Sequence, residues 1–303
     1  MAWTEQGNSI FAFAVVLSVF STAAVALRFV CRGRLLHVLG LSDWFLLFTL
    51  MFALANTCVI GIQAAVGLGL PLPEIPLGEK ESFFKLVYAG TLVVHLSLIL
   101  TKISVLLLFL DIFVIGWPRK TTYVVVVLVT LFGIWLVVSN ILTCIPIDSF
   151  WKQDVSDLRC LGSQKWHADA AVNLVLDIAI FCLPLPAVWP VSLPRRQKLW
   201  LYIVFALGFF VCLASALRLA FLVSRPGPPS IGLVYWMALE VHLSIVIACI
   251  PTLHPLAVRL WPRHFGRSDD NKTDNGGELS RLSTRISFGM RPLRLPESPD
   301  DSS

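Results

Sequence analysis

The sequence predicts an all-α, polytopic membrane protein: a seven-transmembrane helix bundle with its N-terminus outside and its C-terminus in the cytosol. Three observations predict it. Only 14% of the residues are charged and 56% are hydrophobic, with a mean hydropathy of +0.78, whereas a soluble domain carries about 25% charged residues. The apolar residues fall in long blocks, most of them near the roughly 20 residues that cross a bilayer core of about 30 Å. The basic residues gather between alternate blocks, which is a topology signal and not the stripe that nucleic acid requires.

The blocks cover residues 9–31, 41–66, 86–115, 123–144, 167–191, 199–223 and 231–258. The first is too long, and too poorly followed by small residues, to be a cleaved signal peptide, so it reads as the first span. Runs such as 123–138 are apolar throughout, whereas barrel strands alternate, which excludes a β-barrel. The loops after spans one, three and five hold Arg28, Arg32 and Arg34, then Arg119 and Lys120, then Arg195, Arg196 and Lys198. The segment after span seven opens with Arg259, Arg263 and Arg267. This set carries about twice the basic residues of the opposite set and belongs in the cytosol. The organisation that follows is a short outer N-terminus at 1–8, a membrane domain at 9–260, and a disordered cytosolic tail at 261–303.

Five of the seven cysteines, Cys31, Cys58, Cys182, Cys212 and Cys249, lie in or at the edge of spans, where cysteine behaves as a small hydrophobe. Cys144 and Cys160 bracket a polar loop on the outer, oxidising side. A disulfide there closes a loop of about 17 residues, contributes roughly 3 kcal/mol in the chain-entropy model, and holds 145–159 as a lid over the outer mouth. No cysteine spacing matches a zinc site.

Ions inside the bilayer cost about 2.5–3.5 kcal/mol each on the insertion scale, so they call for partners. Asp177 lies near the middle of span five with Asn173 one turn earlier. Arg218 and Glu240 lie in spans six and seven, and span three carries His95 and Lys102. Two acids balance two strong bases, which predicts a polar network facing the bundle interior. That network serves either as a clamp fixing helix register or as a ligand pocket. At the cytosolic face, Asp43 and Trp44 open span two, and Asp43 either caps the helix or pairs with Arg28 or Arg32. Prolines Pro184, Pro186, Pro251 and Pro255 can kink spans five and seven.

In the tail, 269–277 reads as disordered. Ser283, Thr284 and Ser287 sit among Arg281, Arg285, Arg291 and Arg294, which fits either a phosphorylation-released contact with an anionic leaflet or a solvated tail. The Asn271 sequon falls in the cytosol by this topology.

No Gly-rich phosphate loop, HExxH or GxSxG occurs, and no catalytic residue, metal or cofactor is implied. Retinal needs a lysine near the middle of the last helix, and 231–258 holds none. The end of span three reads Leu110-Asp111-Ile112-Phe113, without the acidic-Arg-aromatic triplet of ordinary G-protein-coupled receptors, and span seven lacks Asn-Pro-x-x-Tyr.

An ordered series of residues nonetheless resembles the fungal rhodopsin-like domain family, receptor-like seven-helix proteins of filamentous fungi. The series starts with Arg28, Gly40-Leu41-Ser42-Asp43-Trp44 and Lys102-Ile103-Ser104. Cys144-Ile145-Pro146 follows, with Trp151 and Cys160, then Asn173, Asp177, Leu183-Pro184 and Trp189. It ends with Lys198, Phe205, Gly208, Arg218, Trp236, Glu240, Pro251 and Pro255-Leu256. The chain departs from the family at Gly67-Leu68-Gly69-Leu70-Pro71, where a basic-His pair usually follows the glycines, and at Asp111, where Arg is usual.

The resemblance implies a receptor-like protein of the plasma membrane or an endomembrane, with a small-molecule ligand. Some members lie in gene clusters for secondary metabolites, which implies the alternative of a membrane-embedded enzyme or pathway accessory handling an apolar metabolite. Transport predicts inverted repeats and interrupted helices, and seven spans do not divide into equal halves.

Overall fold

The structure, a computed structural model, describes residues 4–70, 74–112, 116–152, 159–185, 195–224 and 231–260. Pro186, the Asn271 sequon and the basic stretch around Ser283 lie outside the described residues. The described chain forms an all-α bundle: α1 (Glu5–Phe29, continued by a wider turn Val30–Leu35), α2 (Leu41–Val66), α3 (Leu77–Ile112), α4 (Trp117–Ile141), α5 (Ser163–Cys182), α6 (Arg195–Ser224) and α7 (Ile231–Leu260). Between α4 and α5 lie two-residue strands, β1 (Cys144–Ile145) and β2 (Arg159–Cys160), paired antiparallel with Cys144 opposite Cys160.

Neighbours in sequence pack side by side, and α7 closes back onto α1 and α2. Helix α3 touches α2, α4, α5 and α7, and 56% of its apolar window is buried, the largest share of any candidate span. Three apolar clusters fill the interior. One joins α1, α2, α3 and α7 around Val25, Leu50, Leu98 and Ile245. A second joins α3, α4 and α5 around Ile99, Val129 and Leu176. The third sits near the start of α1, around Ile10, Ile60 and Phe83. Large apolar side chains such as Phe20, Met51, Leu131, Val175 and Phe209 point outward, where hydrocarbon replaces water as their surroundings.

Among the described residues six helices, α1 to α4, α6 and α7, are long and apolar enough to cross a membrane. Helix α5 is set apart by Lys165, Asp169 and Asp177 within its 20 residues. It begins at Ser163, before the predicted 167, and it ends just ahead of Pro184, which removes a helix hydrogen-bond donor. Helix α7 stays helical through Pro251 and Pro255. Helix α3 starts at Leu77 and not at 86, because a polar first turn carrying Glu79 is added to the apolar block.

The turn after α2 shapes the site described next. Gly67 and Gly69 adopt φ of 125° and 102°, a region costly for residues with a Cβ. The Gly67 and Leu68 amides both donate to the Gln63 carbonyl, ending the helix and turning Leu68 inward. Thr4 caps α1 by accepting from the Gly7 amide and donates its hydroxyl to the Leu68 carbonyl at 2.8 Å.

Candidate functional site: a cavity above a buried ion network

At the end of the bundle marked by β1 and β2, a cavity of about 280 Å³ opens among α2, α3, α5, α6 and α7. Its wall is mostly apolar, with Ile60, Leu68, Phe84, Val94, Leu222 and Met237, and it presents Asn56, Gln63, Thr91, His95, His167 and Arg218 as polar groups. The size lies at the lower edge of ligand pockets, roughly 300–1,000 Å³.

The roof comes from the described parts of the connection between α4 and α5, residues 142–152 and 159–162. Cys144 and Cys160 are disulfide-bonded, with Cα atoms 4.0 Å apart, and the Leu161 amide donates to the Thr143 carbonyl at 2.8 Å. This pin fixes the short helix Ile147–Phe150. Phe150 packs on Tyr88 and Phe84 at ring separations of 5.5 and 6.3 Å and lines the cavity. Trp151 stacks edgewise on Tyr88, with the Lys85 ammonium 5.6 Å from its ring.

Beside the cavity lies a network that joins four helices. Lys102 of α3 pairs with Asp177 of α5. Asn173 of α5 donates from Nδ2 to Asp177 Oδ2 at 3.2 Å and to Glu240 Oε1 of α7 at 2.9 Å. The Ser215 hydroxyl of α6 lies 2.8 Å from both of those carboxylate oxygens. It has one proton, so it donates to one carboxylate at a time. Arg218 Nε lies 2.6 Å from Glu240 Oε2. That contact is close but not aligned as a hydrogen bond, and Arg218 Nε, Arg218 Nη2, Glu240 Oε2 and Asn173 Oδ1 find no hydrogen-bond partner among the described residues. A buried polar group without a partner costs about 1–3 kcal/mol.

A second chain reaches the cavity from α4 and α5. Lys165 Nζ pairs with Asp169 at 3.6 Å, donates to Asn140 Oδ1 at 3.2 Å, and lies 4.1 Å from the Trp166 ring centre. Because Oδ1 of Asn140 takes the lysine, its Nδ2 faces His95 Nδ1 at 2.9 Å and donates to the Leu136 carbonyl. His95 Nδ1 is therefore the acceptor, and the neutral ring carries its proton on Nε2.

Of the six residues singled out for the pocket, the structure puts His95 and Arg218 in the cavity wall. Lys102, Asn173, Asp177 and Glu240 stand in the network next to it. Arg218 belongs to both. Asn56, Gln63, Phe150, His167 and Ser215 carry no charge pattern that marks them in the sequence.

The opposite end holds a different cluster. Arg28, 1% exposed, donates from Nε to Asp43 Oδ1 at 2.8 Å, from Nη1 to the Ala248 carbonyl at 2.6 Å, and from Nη2 to Ser42 Oγ at 3.4 Å. Arg32 donates to the same Asp43 oxygen at 3.1 Å and to Ser42 Oγ at 3.0 Å. Asp43 Oδ2 accepts the Gly40 amide at 2.9 Å. The carboxylate thus pairs with both arginines and also holds the start of α2. Ser104 of α3 donates to the Ser42 carbonyl at 2.6 Å. Trp44 faces outward, with an edge contact to Phe29 at 6.3 Å. Asp111 lies 4.0 Å from Arg32.

Apolar helices with their ions gathered inside define a multi-pass, all-α membrane protein. The model of the family described as fungal rhodopsin domain matches residues 27–259, and the chain belongs to that family. It is 29% identical over 201 residues to a SAT4 family membrane protein of Emericella nidulans, covering 64% of this chain and 52% of that protein. It is 27% identical over 144 residues to Fugralins biosynthesis cluster protein 2 of Gibberella zeae, covering 44% and 36%. It is 25% identical over 262 residues to Receptor GIN3 of Arthrobotrys oligospora, covering 82% and 62%. In each case the chain spans less than two thirds of the relative's length. No solved structure matches it.

Proposed function

We propose that this chain is a receptor-like seven-span protein, N-terminus outside and C-terminus in the cytosol, that senses a small ligand without retinal. The carrying observation is that Arg218 lines a roofed cavity and also belongs to the network joining α3, α5, α6 and α7. An occupant touching Arg218 acts on Glu240, and through the shared Ser215 hydroxyl on Asp177. The network has two arrangements, one for each acceptor of the serine proton. A ligand that favours one of them shifts the population of helix arrangements.

Helix α5 serves as the seventh span, because its ions pair within the bundle, Lys165 with Asp169 and Asp177 with Lys102. The orientation rests on the arginine and lysine distribution. The absence of lysine from α7 and the engagement of Lys102 in an ion pair favour a ligand other than retinal. The similarity to Receptor GIN3 supports this reading.

A second reading, an enzyme or accessory of a secondary-metabolite pathway, is favoured by the similarity to Fugralins biosynthesis cluster protein 2. Its chemistry is less well provided for. Both network carboxylates are ion-paired, which leaves His95 and His167 as the imidazoles in the described cavity wall. Deleting the gene separates the two readings. The sensing proposal expects an unchanged metabolite profile and a lost response to an external cue, restored by the intact gene but not by the cavity-filling variant Ala170→Phe. A missing or stalled metabolite on deletion overturns it.

A further inference from the structure

We propose that the cavity takes a neutral, largely apolar molecule bearing a carbonyl-type oxygen (a ketone, ester or lactone), held by Arg218 and His95, in preference to a carboxylate or an amine. This rests on the cavity being the ligand site.

The argument starts from which polar groups face the space. Asp169, Asp177 and Glu240 do not line it, so an ammonium group entering the cavity meets no carboxylate among the described residues and is desolvated without compensation. Arg218, 3% exposed, lines it, and its guanidinium makes no aligned hydrogen bond to the described residues. His95 lines it as well, and with Nδ1 taken by Asn140 its remaining ring nitrogen is a donor. Both groups call for an acceptor.

Charge decides between acceptors. Lys102 balances Asp177, and Arg218 stands 2.6 Å from Glu240 Oε2, so the network is neutral as it stands. A carboxylate ligand leaves one net negative charge buried beside two existing carboxylates, at a desolvation cost larger than that of an idle donor. A carbonyl oxygen accepts from the guanidinium and the imidazole without changing the charge. The rest of the wall suits the rest of such a molecule: Phe84, Phe150 and Leu222 offer apolar surface, and the volume of about 280 Å³ limits its size.

The test uses the full chain in lipid nanodiscs, titrated calorimetrically with δ-decalactone, decanoate, decylamine and decane. Heat seen with the cavity-filled Ala170→Phe protein is subtracted, which removes partition into lipid. The expected result is saturable binding of the lactone, about tenfold or more tighter than any of the other three, the factor that a hydrogen bond to a charged donor supplies. The isotope-labelled lactone carbonyl should also show a lowered infrared stretch on binding, lost in the charge-balanced pair Arg218→Gln/Glu240→Gln. If that pair does not fold, the ranking on the unaltered protein carries the decision.

Tighter binding of decanoate or decylamine overturns the inference and leaves the cavity reading in place. Equal binding of decane and lactone does the same, by removing Arg218 and His95 from recognition. Binding of all four that survives Ala170→Phe without change overturns the cavity reading and this inference with it.

Discussion

The two buried clusters use the same ingredients and finish them differently. Around Asp43, the three guanidinium nitrogens Nε, Nη1 and Nη2 of Arg28 each have an acceptor, and both carboxylate oxygens are occupied. Around Glu240, one carboxylate oxygen and two guanidinium nitrogens have no aligned partner among the described residues, and a cavity adjoins them. The first arrangement ties α1, α2 and α7 into one body, with Ser104 adding α3. The second leaves polar groups held in place but unfilled. Saturated pairs resist change, whereas unsatisfied ones give a ligand something to complete.

The largest expected effect follows from the saturated end. Asp43→Ala strands two buried arginines, and removing one partner of a buried pair costs about 3–5 kcal/mol. Thermal melts in detergent followed by size exclusion should show the folded peak lost or its melting point sharply lowered. Asp43→Asn retains an acceptor for the Gly40 amide, so its smaller loss separates the cap, about 0.5–2 kcal/mol, from the ion pairs. A wild-type melt for Asp43→Ala would break the contrast at its stronger end.

Next comes the roof. Replacing both Cys144 and Cys160 by serine removes a link spanning 16 positions, worth roughly 3 kcal/mol in the chain-entropy model. The loop carries Phe150 to the cavity, so ligand binding should fall further than stability does. Calorimetric titration beside a non-reducing melt reads both. Equal losses in the two measurements would make the disulfide a brace for the fold and not a roof.

Glu240→Gln should cost less than Asp43→Ala, about 3 kcal/mol, because one buried arginine loses its counter-ion and not two, while the amide oxygen still accepts from Asn173 and Ser215. A cycle with Arg218→Gln measures the coupling, expected within about 0.5–3 kcal/mol. A loss as deep as that of Asp43→Ala would show that the two clusters are equally tight.

How much of this the sequence disclosed follows the same division. Asp177, Arg218, Glu240 and Lys102 are legible because an ion in an apolar block demands a partner, whatever the packing. Which base meets which acid is not, since Lys102 and Arg218 are each a candidate for either carboxylate until the rotation of α3 and α6 is known. Ser215 escapes notice for another reason. A serine or threonine in a membrane helix ordinarily bonds its own backbone one turn back, as Ser97 and Thr101 do here; Ser215 instead reaches across to α5 and α7. Leu68 becomes a cavity residue through the turn at Gly67 and Gly69, which hydropathy does not record. The apolar blocks themselves located the helices, but α3 begins at Leu77 and α4 at Trp117, ahead of the blocks at 86 and 123, where charged residues such as Glu79 and Arg119 lead into the helix. The start of α5 was missed because Lys165 resembles a loop residue until its pairing with Asp169 is seen.

The smallest expected effect tests a neighbour. Trp44 follows Asp43 directly, and the same sequence pattern draws attention to both, yet Asp43 is 0% exposed and Trp44 is 51% exposed. One helical step of about 100° turns the carboxylate into the bundle and the indole out of it. The indole's specific contact is the edge of Phe29, worth about 0.5–1.5 kcal/mol at most. Trp44→Leu should therefore shift the melt by a fraction of what Asp43→Ala does. The indole's other function, anchoring at the bilayer interface, should show as a changed preference for bilayer thickness and not as unfolding. A melt lowered as far as that of Asp43→Ala would mean that the start of α2 is held from the lipid side by its tryptophan. The saturated arginine–aspartate cluster would then be a consequence of that anchor and not its cause.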